Sequence, residues 1–294
     1  MSRVYDAIMG LVVGDALGVP VEFQKRDSYH VTDMIGYGSH CQPPGTWSDD
    51  SSMTLATVDS LVVVPWVNPR DIMNNFALWF RDGKFTPYGE VFDIGGTTAS
   101  AIRLCLMGQN PEQCGGTDIW ANGNGSLMRI LPLAFTGCDD RTINDISGLT
   151  HAHWISKTAC RIYVHIARSL LAGERLEDVL DDVVPETTGG EFDKIGRLPE
   201  MNRDEIKSDG YVVDTLEAAL WCVLHSDSYR ECVLLAVNLG GDTDTVAAVA
   251  GGLAGIIYGS GGEKGIPEEW IDKIAKKDWI KSLCEKFERN YTPA

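Results

Sequence analysis

The sequence predicts an all-α protein, a single compact multi-helix domain over residues 1–294. Three observations lead there. Apolar residues recur at helical spacing along most of the chain, strand-like alternation is scarce, and the apolar β-branched runs of a parallel α/β fold are missing between the helices. No segment is rich enough in Pro, Gly or Ser to mark a domain boundary, and no internal repeat is visible.

The elements follow in order. "SRVYDAIMGLVVGDALG" predicts a first helix with Val4, Ile8, Leu11 and Val12 on its apolar face, ending in a Gly-rich turn. "DDSSMTLATVDSLVVV" predicts a second, ended by Pro65. "NPRDIMNNFALWFRDG" predicts a third, with Asn68 as N-cap, Pro69 in the first turn and Gly83 after the end. Further helices are expected over Thr97–Met107, Gly125–Ala134, Thr142–Thr150, Ile155–Ala172, Leu176–Val183, Val213–His225, Tyr229–Leu239, Thr243–Tyr258, Glu268–Ala275 and Trp279–Arg289. The connections Gln24–Thr46, Gly83–Gly96, Gly108–Asn124 and Pro185–Tyr211 are long for a helical domain, which marks them as functional candidates.

A net charge of −17 argues against a protein that tracks nucleic-acid phosphates or an anionic membrane surface. A phosphorylated small ligand would need a cation as intermediary. The eight cysteines form no CxxC pair and no zinc-like spacing with histidine. The apolar part of the N-terminus is too short for a signal peptide, and no apolar run reaches membrane-spanning length. A reduced, cytoplasmic protein is the expectation.

Two acidic clusters stand where helices are predicted to start. Ser48, Asp49 and Asp50 precede the second helix; Asp242, Asp244 and Thr245, in "NLGGDTDTVAAVAGG", open another. Helix capping accounts for either cluster alone. If they meet in space, four carboxylates and two hydroxyls make an all-oxygen set suited to Mg²⁺ or Mn²⁺ rather than zinc, with room for two ions. Asp15 stands in the turn expected to end the first helix, where it can bond nearby backbone N–H groups. Glu22, between Val21 and Phe23, and Asp93, in "VFDIGGTT", are single acids among apolar neighbours. His151 and His153 do not share a helical face, so a ligand hydrogen bond or a cap suits them better than a zinc pair.

"GLVVGDALGVPVEF", "WSDDSSMTL", "FDIGGTT", "GNGSLMRILPLA", "THAHWISKTA", "GYVVDTLEAALWC" and "NLGGDTDTVAAVAGGLAGIIYG" occur in that order. This set resembles the signature segments of the ADP-ribosylglycohydrolases, nearest the bacterial dinitrogenase reductase-activating branch, which acts on ADP-ribosyl-arginine. The resemblance spans Gly10 to Gly259. It implies an all-helical fold and a binuclear Mg²⁺ or Mn²⁺ centre at helix N-termini, ligated by Ser48, Asp49, Asp50, Asp242, Asp244 and Thr245. It further implies that Asp93 contacts the ribose beside the scissile bond and that Glu22 is the acid next to the metals, the two forming the catalytic set. Gly123, Asn124, Gly125 and Ser126 match the loop that approaches the diphosphate; His151, His153 and Tyr211 fall in ligand-facing segments. Two positions depart from the family pattern. Ser48 replaces the usual Thr and keeps its oxygen, whereas Gly96 stands where related bacterial sequences often carry Asn.

The implied activity is release of ADP-ribose from an ADP-ribosylated protein, with arginine as the expected acceptor. The competing readings are a non-catalytic ADP-ribose binder or structural protein, a hydrolase of serine, nucleobase or O-acetyl conjugates, and a metal-dependent phosphoester hydrolase.

Overall fold

In the computed structural model, residues 2–64, 66–183 and 190–291 are described. Pro65 and residues 185–189 of the last long connection lie outside them. Twelve α-helices occur among the described residues: α1 (Arg3–Gly18), α2 (Asp49–Val63), α3 (Pro69–Asp82), α4 (Gly96–Leu106), α5 (Asp140–Gly148), α6 (Trp154–Ala172), α7 (Leu176–Val183), α8 (Val212–Leu224), α9 (Tyr229–Val237), α10 (Thr243–Tyr258), α11 (Glu268–Ile271) and α12 (Lys277–Tyr291). β-Structure among these residues is confined to isolated bridges such as Gly123 with Tyr211. The all-helical expectation therefore holds. Asn68 caps α3 by accepting from Arg70 N and Asp71 N, and Gly83 ends it at φ 67°.

The centre is the pair α1 and α10, which share the most extensive helix contact in the molecule. Both are buried on all sides, not along one stripe, as befits helices surrounded by others. Gly10, Gly14 and Gly18 repeat every fourth residue on α1 and let the two backbones touch. A Cβ at Gly10 would stand 2.4 Å from Gly251 O, one at Gly14 2.0 Å from Ala247 O, and one at Gly18 2.3 Å from Asp244 Cα. Hydroxyls pin the pair from outside: Tyr229 Oη donates to Gly10 O (2.6 Å) and Tyr163 Oη to Val249 O (2.8 Å). Thr243 Oγ1 donates to Gly18 O at 2.9 Å, locking the start of α10 to the end of α1.

Three expectations are corrected. Gly125–Ala134 is not an α-helix but two 3₁₀ turns, Asn124–Ser126 and Leu131–Phe135. Pro132 brings no N–H to a helical ladder, and the Gly125 carbonyl is taken by the Arg129 side chain. The helix from Glu268 stops at Ile271 instead of Ala275, whose N–H goes to Gly45 O at 3.0 Å. Arg3–Val21 does reach membrane-spanning length and apolarity, yet its 18-residue apolar window is buried inside the protein, as core helix α1 and the 3₁₀ turn that follows it. Two of the long connections contain short 3₁₀ turns, at Gly38–His40 and Ile119–Ala121.

Because the α1–α10 contact is backbone on backbone, no side chain can yield to make room. Gly14→Ala is expected to lose about 3 kcal/mol or more of stability, measured by urea unfolding. An unchanged midpoint would show that the helices can move apart.

Candidate metal and catalytic site

The question at both acidic clusters is whether their carboxylates cap helices or await a cation. At α2 the cap is mainly supplied from elsewhere. Asp15, fully buried inside α1, accepts from Ser48 N (2.9 and 3.1 Å), Ser51 N (3.0 Å) and Ser51 Oγ (2.5 Å). Asp15 thus lies within a helix rather than in the expected turn, and its partners are 33 and 36 residues away. Ser48 adds a local cap, accepting from Asp50 N at 3.3 Å, and its hydroxyl donates to Asp50 Oδ2 at 3.0 Å. Asp49 and Asp50 are left free of capping duty.

The start of α10 behaves the same way. Asp242 occupies the N-cap position, but its side chain makes no cap bond; Oδ2 accepts from Asn124 Nδ2 at 2.9 Å instead. Asp244 accepts from Thr245 N at 3.0 Å through Oδ1. Thr245 Oγ1 donates to Asp50 Oδ2 at 3.3 Å, a contact 195 positions apart that joins the starts of α2 and α10. The clusters therefore meet. Ligand oxygens of Asp15, Asp50 and Asp244 lie within 4.8 Å of one another, as do those of Glu22, Asp242 and Asp244.

Three buried oxygens in this set, Asp50 Oδ1, Asp242 Oδ1 and Asp244 Oδ2, have no hydrogen-bond partner. Burial raises Asp49, Asp50 and Asp244 well above the usual carboxylate range, Asp242 above it, and Asp15 to about 6. Like-charge neighbours push most of them further in the same direction. Orphaned, crowded, hard oxygen donors are what a divalent cation requires, so the residues fit the metal centre that the sequence resemblance implies.

Beside the cluster, Glu22 is held by His40 Nε2, whose ring packs 5.2 Å from Phe92 and 6.1 Å from Phe23. Burial, then the charges of Asp93 and Asp242, raise Glu22 to about 10. Two backbone bonds fix this segment to the turn before α10: Phe23 N to Gly241 O (2.8 Å) and Gly241 N to Gln24 O (3.0 Å). Asp93, in the left-handed region at φ 54°, presents its carboxylate within 4.8 Å of Glu22 and His40 donor atoms.

A cleft of 260 Å³ opens over these groups. Asp49, Asp93, Glu22, Asp242 and Thr245 line it together with Gly123, Asn124, Gly125 and His151. The N-terminus of α4 opens onto it through Gly95 to Thr98, with no capping side chain, so its positive end faces the cleft. His151 is buried and pushed down to about 3 by burial and by the Arg129 charge, which keeps it neutral.

Three expected ligand-facing residues do not line this cleft. Ser126 is buried, bonded to Ser147 Oγ (3.1 Å) and Cys160 Sγ (3.4 Å). His153 caps α6 and bonds Asn122 at 2.9 Å. Tyr211 donates to Glu191 at 2.9 Å. Conversely, Asp15, His40, Thr98 and Trp120 belong to the site region, although the residue pattern does not mark them for it. Asp15 carries a signal, an acid directly after the run Ala7–Gly14 of apolar residues and glycines; Trp120, 91 % exposed at the cleft mouth, carries none.

The raised carboxylates fix a sign. Without a cation, the folded cluster binds more protons than the unfolded chain above pH 3.8, so stability falls as pH rises through the folded values, about 6 for Asp15 and about 10 for Glu22. Metal-free protein is expected to melt at a lower temperature at pH 8 than at pH 5.5, and saturating Mg²⁺ or Mn²⁺ should abolish that difference. Thermal scans in EDTA and in metal check this.

The comparisons with known proteins agree with the geometry. The ADP-ribosylglycohydrolase family model matches residues 1–293. The chain is 35% identical to "ADP-ribosylarginine hydrolase Tri1" of Serratia proteamaculans, over 98% of this chain and 79% of that protein. It is 30% identical to "ADP-ribosyl-[dinitrogen reductase] glycohydrolase" of Rhodospirillum rubrum, over 94% and 91%. A solved structure described as "ADP-ribosylglycohydrolase-related protein complex" superposes with a TM-score of 0.83 at 30% identity, covering 99% of this chain and 98% of that one. Matched almost end to end, with its carboxylates gathered at two helix N-termini as the sequence resemblance implied, the chain belongs to the ADP-ribosylglycohydrolase family of enzymes.

Proposed function

We propose that this enzyme hydrolyses the N-glycosidic bond between ADP-ribose and a protein arginine. The observation that supports it most is the meeting of Asp93 and Glu22 with the α2 and α10 carboxylates in a cleft that a glycine turn also lines. Two bacterial relatives carry names for ADP-ribosylarginine and ADP-ribosyl-protein hydrolysis, which supports the acceptor.

Ser48, Asp49, Asp50, Asp242, Asp244 and Thr245 would hold two divalent cations, Mg²⁺ or Mn²⁺. Bound there, the cations would neutralise the carboxylates and supply Lewis acidity. The chain's own groups do the rest. Asn124 Nδ2 bridges Thr215 Oγ1 (3.0 Å) and Asp242 (2.9 Å), so the glycine turn and the carboxylate cluster are set relative to each other. The α4 N-terminus and the backbone at Gly123 to Gly125 receive the diphosphate.

Cleavage separates the anomeric carbon from a guanidino nitrogen and builds positive charge on the ribose ring. The nearby carboxylates stabilise that charge. Asp93 orients the incoming water, or the ribose hydroxyl beside it, and accepts a proton as the water oxygen bonds to the anomeric carbon; the bond to nitrogen breaks with its electron pair, and the nitrogen takes that proton back from Asp93. Glu22 stands beside Asp93 and the carboxylate cluster, held in place by His40. The neutral His151 ring contributes hydrogen bonding without adding charge.

Incubation with an arginine-ADP-ribosylated protein and Mn²⁺ should release intact ADP-ribose, and EDTA should stop it. AMP and ribose phosphate as products would mean diphosphate cleavage and would sink the proposal. Asp93→Asn should lower kcat by about 10²- to 10⁴-fold with the fold intact by circular dichroism; unchanged turnover removes Asp93 from the mechanism. Asp242→Ala should weaken Mn²⁺ binding, followed by the water-proton relaxation of the bound ion.

A further inference from the structure

A cleft walled by carboxylates in a chain of charge −17 disfavours a diphosphate, and a positive charge behind the surface the diphosphate touches offsets this in addition to any bound cation. Arg129 supplies such a charge. It is 0 % exposed, and its bonding partners among the described residues are two backbone carbonyls rather than a carboxylate. Nη1 donates to Gly125 O and Nη2 to Ile146 O (3.2 Å), the guanidinium lies 4.9 Å from the Phe76 ring centre, and Nε has no partner. Holding a cation this way is costly, and a buried apolar residue would pack there without that cost.

Its main contact is unusual for a residue following a turn. In an α-helix the Gly125 carbonyl would accept from the Arg129 backbone N–H. Here the Arg129 side chain takes that carbonyl, and the chain runs as a 3₁₀ turn instead. A trans peptide points its C=O and N–H in opposite directions. Drawing the Gly125 carbonyl inward therefore turns the amide that follows it away from the guanidinium.

Gly125 lies between Arg129 and the cleft wall. A Cβ on it would stand 2.8 Å from both His151 Cε1 and Thr98 Oγ1, two residues that line the cleft. The charge of Arg129 reaches that wall, since it acts on both His151 and Asp49 without bonding to either.

We propose that Arg129 is a positioning residue for the diphosphate of the ADP-ribosyl ligand, fixing the Gly123–Ser126 turn and placing a buried positive charge behind it. This rests on the function proposed above, which assigns that turn to the diphosphate.

The test compares wild type with Arg129→Met and Arg129→Lys in three measurements: calorimetric binding of ADP-ribose in Mn²⁺, binding of Mn²⁺ alone, and steady-state ADP-ribose release. Arg129→Met should raise the ADP-ribose Kd and the substrate KM by about ten- to a hundredfold, with a much smaller change in kcat. Its Mn²⁺ affinity should not fall, because removing a positive charge near Asp49 cannot weaken cation binding. Arg129→Lys, which keeps the charge, should recover part of the loss.

An unchanged ADP-ribose affinity overturns the proposal, and so does a parallel loss of ADP-ribose and Mn²⁺ binding, which would make Arg129 a core pin. If Arg129→Met does not fold, Arg129→Lys carries the test with ADP and adenosine as probes. Weaker ADP with adenosine unchanged supports the proposal; equal weakening of both, or of neither, overturns it. The two readings fail separately. Wild type that binds ADP-ribose through Arg129 but releases none from arginine defeats the activity alone, and release with Arg129-independent affinity defeats this assignment alone.

Discussion

Helices α1 and α10 touch backbone to backbone, and the position of the carboxylates depends on that contact. The glycines at 10, 14 and 18 bring the end of α1 against the start of α10, so Asp15 and Asp244 arrive on the same side of one seam. Asp15 then accepts from the N–H groups at the start of α2 and draws in Asp50. Thr245 completes the ring by donating to Asp50. Three helices far apart in sequence are tied at their ends, and the ends carry the chemistry.

Such an arrangement opposes itself electrostatically until something cationic enters. Five buried aspartates and Glu22 all titrate above their usual range, and three of the buried oxygens have no partner. The strain is concentrated where function needs it, as expected for a site built to receive a charge it does not contain. Other groups at the cleft have the reverse character. The uncapped start of α4, the neutral His151 and the buried Arg129 give a −17 chain one face that an anion can approach. A ligand that pairs a sugar with a diphosphate matches a cleft with these two faces.

Much of this was legible in the residues. Apolar spacing placed nearly every helix, because a buried helix must repeat its apolar positions whatever it packs on. Asn68–Pro69 and Gly83 marked the ends of α3 because capping is a local interaction. The segment after Asn124 was misjudged because its apolar run satisfies helical periodicity, while the competing partner for the Gly125 carbonyl is a side chain whose reach periodicity does not register. Ser126, His153 and Tyr211 bond Ser147, Asn122 and Glu191 and do not line the cleft. A motif places a segment at a site without saying which of its side chains turn inward.

By itself, the sequence determined the helical class, the order of the elements and the two acidic helix starts, since these depend on neighbours within a few turns. Whether those acids cap helices or hold a cation was decided only by tertiary structure. Asp15 takes over the cap of α2 across 33 residues, Asn124 claims Asp242 across 118, and Thr245 reaches Asp50 across 195. Local capping chemistry looks the same with or without those long-range bonds, and they are what leave Asp50, Asp242 and Asp244 with oxygens to spare.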